Sequence, residues 1–542
     1  MEQLALYRPG EEGKAGAETV LTISNVSFQL DPLSSLFSGT LKVKALTINN
    51  VHCAIEEIQP GRWQLQGYPI ASGGDTNFDN VIDLILSVER VALFDAELTS
   101  FYASGDDSLL TIEEVSLNRR DDFRRLRLNA FVDQLSGPVV AVVESIGDPR
   151  EQSVFSAQAY LNVDNVDFSA LLSAAQARGV ELKNAAVDSE LWLDWQPGAQ
   201  VSVQGFVTMP VVDIGAISGE LLAPLEDVKF GFRAEKTSTE DWHIWLPTLE
   251  TNWNGEHFNF NQSQIIRSLD GLELALPAVD IGTVSSQLLA ADMLSDKAVD
   301  VLATMAPSGW LKNVKLQLPR QPSAAKSSEN RPENSSPAFR LQANVENAAL
   351  SAWRGAPGAS GVSGYLEMTP ARGLVELESK NMTLAFPGVY EQPMDFDTVI
   401  GQVGWDILPD RVLVDSSPLY LTADHGPATA LLDLDIPLVK TADNRPEMTL
   451  TVGLKDTDAK YRSKFIPSTL SRNFLDWMSV SVPSGHVVDG GFIFRGSLNK
   501  GDSEHRTVQL YLNVDDTHLA YHPDWPILTA IEGLVEVSDL VV

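Results

Sequence analysis

Residues 35–57 read SLFSGTLKVKALTINNVHCAIEE. Apolar side chains fall at Leu41, Val43, Leu46, Ile48, Val51, Cys53 and Ile55, so the spacing runs two, three, two, three, two, two. A spacing of two belongs to a strand whose two faces see different surroundings, and one extra residue turns every later side chain to the wrong face. A bulge at the three-residue step restores the facing. The stretch therefore predicts a bent strand with one apolar side.

The same phrase, apolar-x-apolar-x-x-apolar-x-apolar, recurs along the chain. It falls at Leu21, Ile23, Val26 and Phe28, at Leu46, Ile48, Val51 and Cys53, and at Val91, Leu93, Ala96 and Leu98. Further copies use Leu110, Ile112, Val115 and Leu117, then Leu161, Val163, Val166 and Phe168, with a degenerate copy at Leu512, Val514, Thr517 and Leu519. Asn, Asp or Glu occupies the x-x step in SNVSF (24–28), NNVHC (49–53), FDAEL (94–98), EEVSL (113–117) and DNVDF (164–168), as suits a bend. A single copy fits an ordinary β-sandwich. Repeated copies on one chain predict a mainly β fold, a long curled antiparallel sheet built as a repeating, solenoid-like β-groove.

Strand-like segments dominate the rest of the chain, and NWNGEHF (252–258) and VVDGGF (487–492) read as hairpin signals between them. Three segments read as helices. They are DPLSSLFS (31–38), with an Asp-Pro start; FSALLSAAQARG (168–179), with Leu171, Leu172 and Ala175 on one face and Gly179 as a stop; and SRNFLDWMS within 461–480. So few short helices cannot cover a long sheet. Residues 319–338, PRQPSAAKSSENRPENSSPA, have the composition of a flexible loop or linker. The expected organisation is N-terminal β repeats over 1–150, central β-groove repeats over 151–318, the linker at 319–338, and further β-groove repeats over 339–542.

Composition narrows the function. The chain has 542 residues, 44% of them hydrophobic, enough for a sizeable core. Its 73 acidic residues against 39 basic ones give a net charge of -34, and without a basic stripe it is not expected to bind nucleic acid. Its single cysteine, Cys53, excludes an intrachain disulfide and any zinc site built on several thiolates. No run of about 18 apolar residues predicts a membrane-spanning helix, and the N-terminus MEQLALYRPGEEGKAGAE lacks the pattern of a signal peptide.

The densest polar cluster is DDTHLAYHPDW (515–525), with Asp515, Asp516, His518, His522 and Asp524. Histidines four apart share a face on a helix, but these residues frame a strand and a turn, so no metal site is assigned. There is no G-x-S-x-G elbow, phosphate-binding loop, H-E-x-x-H or C-x-x-C. Trp242, Trp245 and Trp253 could stack on sugar rings, although packing at a strand edge is the commoner use. No catalytic residue, metal or cofactor is expected, and the chain is not read as an enzyme.

DPLSSLFSGTLKVKALTINNVHCAIEEIQPGRWQL (31–65) resembles the first repeats of the AsmA-like proteins of the Gram-negative envelope, with Gly39, Gly61 and Trp63 at corresponding places. FIPSTLSRNFLDWMSVSVPSGHVVDGGFIFRGSL (465–498) and VDDTHLAYHPDWPILTAIEGLVEV (514–537) are similar to the YhdP branch of that family. The match departs at NKGDSEHR (499–506), where the branch carries an Asp-x-Pro-Phe step.

The resemblance implies a bridge-like lipid transport protein whose apolar β-groove carries phospholipid acyl chains between inner and outer membranes, with envelope proteins as partners at the groove ends. It implies a periplasmic protein anchored in the inner membrane, of which this chain would be a part lacking the anchor. A sheet with an apolar side must bury that side against something, and lipid tails would serve. Groove candidates are Leu46, Ile48, Val51, Leu110, Ile112, Val115, Leu161, Val163, Val166, Leu512 and Val514. Two other readings remain: an envelope scaffold that helps outer-membrane proteins or surface polymers assemble through its sheet edges, and a carbohydrate-binding β protein.

Overall fold

The computed structural model describes residues 4–7, 19–38, 43–59, 62–67, 88–102, 107–132, 137–148, 150–151, 153–167, 180–198, 200–216, 224–236, 241–269, 271–290, 296–319, 339–353, 357–387, 389–438, 444–499 and 501–538. The chain is mainly β, with 28 described strands and a few short helices. It divides into two compact units, Met1–Leu269 and Asp270–Val542.

The first unit holds β1 (Leu4–Tyr7), β2 (Thr19–Leu30), helix α1 (Pro32–Ser38), β3 (Val43–Gln59), β4 (Arg62–Leu65), β5 (Arg90–Phe101), β6 (Asp107–Arg120), β7 (Phe123–Val132) and β8 (Pro138–Ile146). It continues with β9 (Ser156–Asp167), β10 (Val180–Gln196), β11 (Gln200–Ala216), β12 (Leu225–Lys236), β13 (Trp242–Trp253), β14 (Glu256–Asn259) and β15 (Ser263–Ser268). Chain neighbours pair antiparallel, and β14 and β15 share one edge of β13. One pairing departs from the all-antiparallel expectation: β3 and β5 run parallel, with Leu46 opposite Val91 and Ile48 opposite Leu93. The turn at NWNGEHF is a two-residue hairpin loop. Asn254 (φ 52°) and Gly255 (φ 81°) both sit in the left-handed region that matches strand twist.

The second unit holds β16 (Gly271–Asp280), helices α2 (Ile281–Ala290) and α3 (Asp296–Met305), β17 (Ser308–Pro319), β18 (Arg340–Leu350), β19 (Gly358–Met368), β20 (Arg372–Ala385), β21 (Met394–Ile407), β22 (Arg411–Ser416) and β23 (Leu419–Thr422). It ends with β24 (Ala428–Pro437), β25 (Glu447–Asp458), helices α4 (Arg462–Phe465) and α5 (Arg472–Ser481), β26 (Ser484–Ser497), β27 (Arg506–Leu519) and β28 (Leu528–Ser538). β22 and β23 lie end to end between β21 and β24. Residues 319–338 lie outside the described residues, apart from Pro319, which closes β17. β17 and β18 on either side are hydrogen-bonded neighbours within one unit.

The helices expected at 31–38 and within 461–480 are present, and 168–179 lies outside the described residues. α5 starts at Ser471, whose side chain accepts from Phe474 N–H. α2 and α3 were not expected. Asp280 starts α2 by accepting from Thr283 N–H at 2.9 Å, a cap that offsets the poor helix propensity of Thr283 and Val284. No described helix is long and apolar enough to cross a membrane. VVDGGF is not a hairpin but the interior of β26. A Cβ on Gly490 would stand 2.7 Å from Leu512 Cδ2, so this glycine serves close packing rather than a turn.

The bulges follow one rule. Ten described strand residues, Asn50, Asp95, Asn165, Asp227, Asn313, Asn347, Asn381, Asp456, Asp516 and Ala530, have φ between 43° and 54°, and all but Ala530 are Asn or Asp. These types tolerate the left-handed region because their short polar side chains bond locally. Asn165 N–H donates to Asp188 Oδ1 at 2.6 Å, and Asn347 N–H to Ser363 Oγ at 3.1 Å. The EEVSL step is met differently, by a register shift between Ile112 and Glu114 at ordinary φ.

Candidate functional site

Register decides what the apolar phrases build. In the first unit Phe28 pairs with Leu46, Leu46 with Val91, Val91 with Leu117, Leu117 with Leu126, and Leu126 with Val143. The row runs on through Ala159, Leu193, Val203, Ala234, Ile244 and Ile265. It crosses twelve strands without a polar residue. At about 4.8 Å per strand it spans roughly 50 Å of sheet.

A second row lies alongside: Val26, Ile48, Leu93, Val115, Leu128, Ala141, Leu161 and Leu191. Beyond the bulges runs a third, Ile23, Val51, Ala96, Ile112, Ala130, Val139 and Val163. The bulges at Asn50 and Asp95 stand between these two rows, and that at Asn165 stands between Val163 and Val166, so each three-residue step keeps the apolar residues on one face. Leu46, Ile48, Val51, Leu110, Ile112, Val115, Leu161, Val163 and Val166 therefore share a single face. In the second unit Leu512 aligns with Gly490, Leu454, Ala428 and Leu421, and Val514 with Val487 and Thr457. Leu512 and Val514 thus share the corresponding face there.

How far this face is buried distinguishes it from a packed core. Every member of the second row is half-buried, neither sealed nor open. The tightest positions adjoin the bulges: Ala130 and Val166 are 0% exposed and Val163 is 3% exposed. The opposite face of the first unit is polar, with His52 Nδ1 hydrogen-bonded to Glu97 Oε2 at 2.8 Å and an Arg125–Glu144 ion pair, Nε to Oε1, at 3.4 Å. Such exposed pairs contribute little stability but keep that side wet.

Residues outside the face take ordinary places. His518 Nδ1 lies 3.1 Å from Ser484 Oγ on the paired strand, and His522 lies in a turn against Trp525. Regular pairing on β13 sends Trp242 and Trp245 to opposite sides of the sheet, so they share no stacking platform. The bulges at Asp227, Asn313, Asn347, Asn381 and Asp456 extend the pattern to strands that the phrase search missed. Their sequence signal is a charged residue followed by Asn or Asp, as in Glu226-Asp227 and Lys380-Asn381.

With this geometry in place, the comparison with protein families is specific. The model described as YhdP protein matches residues 13–539, nearly the whole chain. The chain belongs to the YhdP family. Comparison with curated proteins found no match, and comparison with solved structures found none. The family match spans both units of this YhdP chain, and therefore both apolar faces.

Cys53 offers a natural probe of the YhdP face. It pairs with Leu21 and Leu98 on the apolar side, and burial pushes its thiol above the ordinary value. Because the thiolate is the reactive form, maleimide should label Cys53 several-fold more slowly at pH 8 than it labels a free cysteine peptide. The rate should climb with pH past the ordinary thiol range. Labelling as fast as the peptide's, with the same pH midpoint, would place Cys53 in water instead.

Proposed function

We propose that the chain is part of a bridge-like lipid transport protein, in which the apolar face carries phospholipid acyl chains between the inner and outer membranes of a Gram-negative envelope. The observation that carries this reading is the unbroken apolar register across twelve strands, beside a second apolar row that is half-buried throughout. A protein-filled core would seal those side chains, whereas a face meant for exchangeable tails leaves them accessible. YhdP membership supports the same reading, with a periplasmic location and an inner-membrane anchor in the whole protein.

No chemistry is required of such a face. Each buried methylene contributes about 0.8 kcal/mol, so a tail laid across several rows is held firmly. A row of similar side chains gives similar energy at each place, so a tail moves along it without a large barrier. Direction is then set by supply at each end or by partner proteins. The chain is not an enzyme in this reading.

The test is purification from a Gram-negative host, solvent extraction and mass spectrometry. Phospholipid should accompany the folded protein, and crosslinking should capture lipid. Folded protein free of lipid, or crosslinks that capture only protein strands, would favour the scaffold reading instead.

A further inference from the structure

In the second unit buried side chains on the apolar face gather into one cluster, besides single buried residues such as Ala343 and Val345. Leu377, Met382, Phe396, Val399 and Leu421 form a buried cluster with exposures of 1–9%, while Val375 and Val403, on the same face of β20 and β21, remain half-buried. The cluster lies near the rim where β20 ends and β21 begins. The segment 459–481, which contains α4 and α5, joins β25 to β26 on the same rim.

His425 links the two. It is 5% exposed, with its ring centroid 6.0 Å from Phe396 of the cluster, 4.9 Å from Phe465 of α4 and 6.1 Å from Tyr461. The segment is internally tied: Arg462 donates to Met478 O at 3.1 Å and to Ser479 O at 2.7 Å. Its fastenings to the rim that the structure shows are local. Ser468 donates to Val389 O from N–H at 2.8 Å and from Oγ at 3.0 Å, Lys464 pairs with Asp424 at 3.5 Å, Trp477 Nε1 donates to Tyr521 O at 3.1 Å, and Ala520 N–H donates to Ser481 O at 2.7 Å. Its outer side exposes Leu470, Phe474 and Val480. A segment held by scattered contacts and no strand ladder opens more easily than the sheet beneath it.

We propose that the segment Ala459–Ser481 is a strap that closes the apolar face of the second unit over the Leu377–Leu421 cluster, and that it lifts to admit an acyl chain there. This rests on the lipid reading above and adds regulation to it. The closed strap has a pH sense. Burial holds the His425 imidazole below its ordinary value, against Asp424 and Asp397, which raise it, while Lys464 lowers it further. Neutral His425 suits its place between Phe396 and Phe465. Closure is therefore favoured fully above the pH at which a solvated imidazole titrates, and that advantage is lost as pH falls through the closed-state value.

The test uses the full chain with Cys53→Ser, Val389→Cys and Ser468→Cys, oxidised to lock the strap or reduced to free it. Vesicles of phosphatidylcholine carrying a diazirine in one tail are irradiated with each form, and labelled peptides are mapped by mass spectrometry. Peptides around Leu128 and Leu161 should label equally in both forms. Peptides around Leu377, Phe396 and Leu421 should label several-fold more when reduced, and more again in an Arg462→Ala, Lys464→Ala variant. Equal labelling of the cluster in locked and free protein, or no gain in the Arg462→Ala, Lys464→Ala variant, would overturn the strap while leaving the lipid reading intact. No labelling of either unit would remove the lipid reading and the strap with it.

Discussion

Replacing Val115 and Leu161 with glutamate is expected to strip bound phospholipid from the first unit while leaving the unit folded. Both residues sit in the half-buried second row, with Val115 between Leu93 and Leu128 and Leu161 between Ala141 and Leu191. In the empty protein a carboxylate at either position still reaches water, so each change forfeits the half-burial of one apolar side chain, about 1 kcal/mol, well short of the stability of a domain. Against an acyl chain it cannot. Lifting four or five methylenes off the face forfeits about 0.8 kcal/mol each, some 3–4 kcal/mol in all, which lowers occupancy by more than about a hundredfold.

Val142→Glu is the matched control. Val142 pairs with Arg127 and Tyr160 on the opposite, polar face and should keep its lipid. Lipid phosphorus per protein, with circular dichroism as the folding check, decides the matter. A doubly substituted protein that keeps as much lipid as the Val142→Glu control would show that tails do not lie on this face.

Much of this architecture was written in local spacing. The recurring phrase put Leu46, Ile48, Val51, Leu110, Ile112, Val115, Leu161, Val163 and Val166 on one face before any pairing was known, because alternation and a one-residue slip are properties of a single strand. The bends at Asn50, Asp95 and Asn165 were legible for the same reason. Those at Asn381 and Asp456 were not, because the phrase demands apolar residues on both sides of the bend. Ser379, 1% exposed and bonded through Oγ to Ser363 O at 2.9 Å, and buried Thr457 stand there instead. The backbone asks only for the left-handed Asn or Asp.

Long-range features left no local trace. The parallel pairing of β3 with β5 depends on where a crossover delivers the second strand, and nothing in the period of either strand records it. The burial at Leu377–Leu421 was equally silent, since a sealed valine such as Val399 and a half-buried one such as Val403 look alike in sequence.

Forcing Asn50 out of its left-handed conformation should damage the first unit, while removing it should leave the facing of β3 intact. The bend is needed because Ile48 and Val51 stand three residues apart; with Asn50 deleted they stand two apart, and plain alternation keeps Val51, Cys53 and Ile55 on the apolar face. Glu56 likewise stays on the side where it accepts from Gln64 Nε2 and Gly67 N–H at 2.6 and 2.9 Å. What the deletion loses is the bend itself, which now runs in step with Asp95 on the neighbouring strand, where Ile48 faces Leu93 and Val51 faces Ala96. That mismatch costs about 1–3 kcal/mol, the range of an ordinary destabilising change. Asn50→Gly keeps the left-handed conformation and should be nearly neutral, whereas Asn50→Val forces a branched side chain into it at about 1–3 kcal/mol. Urea midpoints should rank the wild type and Asn50→Gly together, with Asn50→Val and the deletion below them. Cys53 supplies a second readout: its thiol stays in the apolar row in every variant, so maleimide labelling should stay slow. A deletion variant with fast Cys53 labelling would mean that alternation does not set the facing of β3, and the apolar face would lose its structural basis.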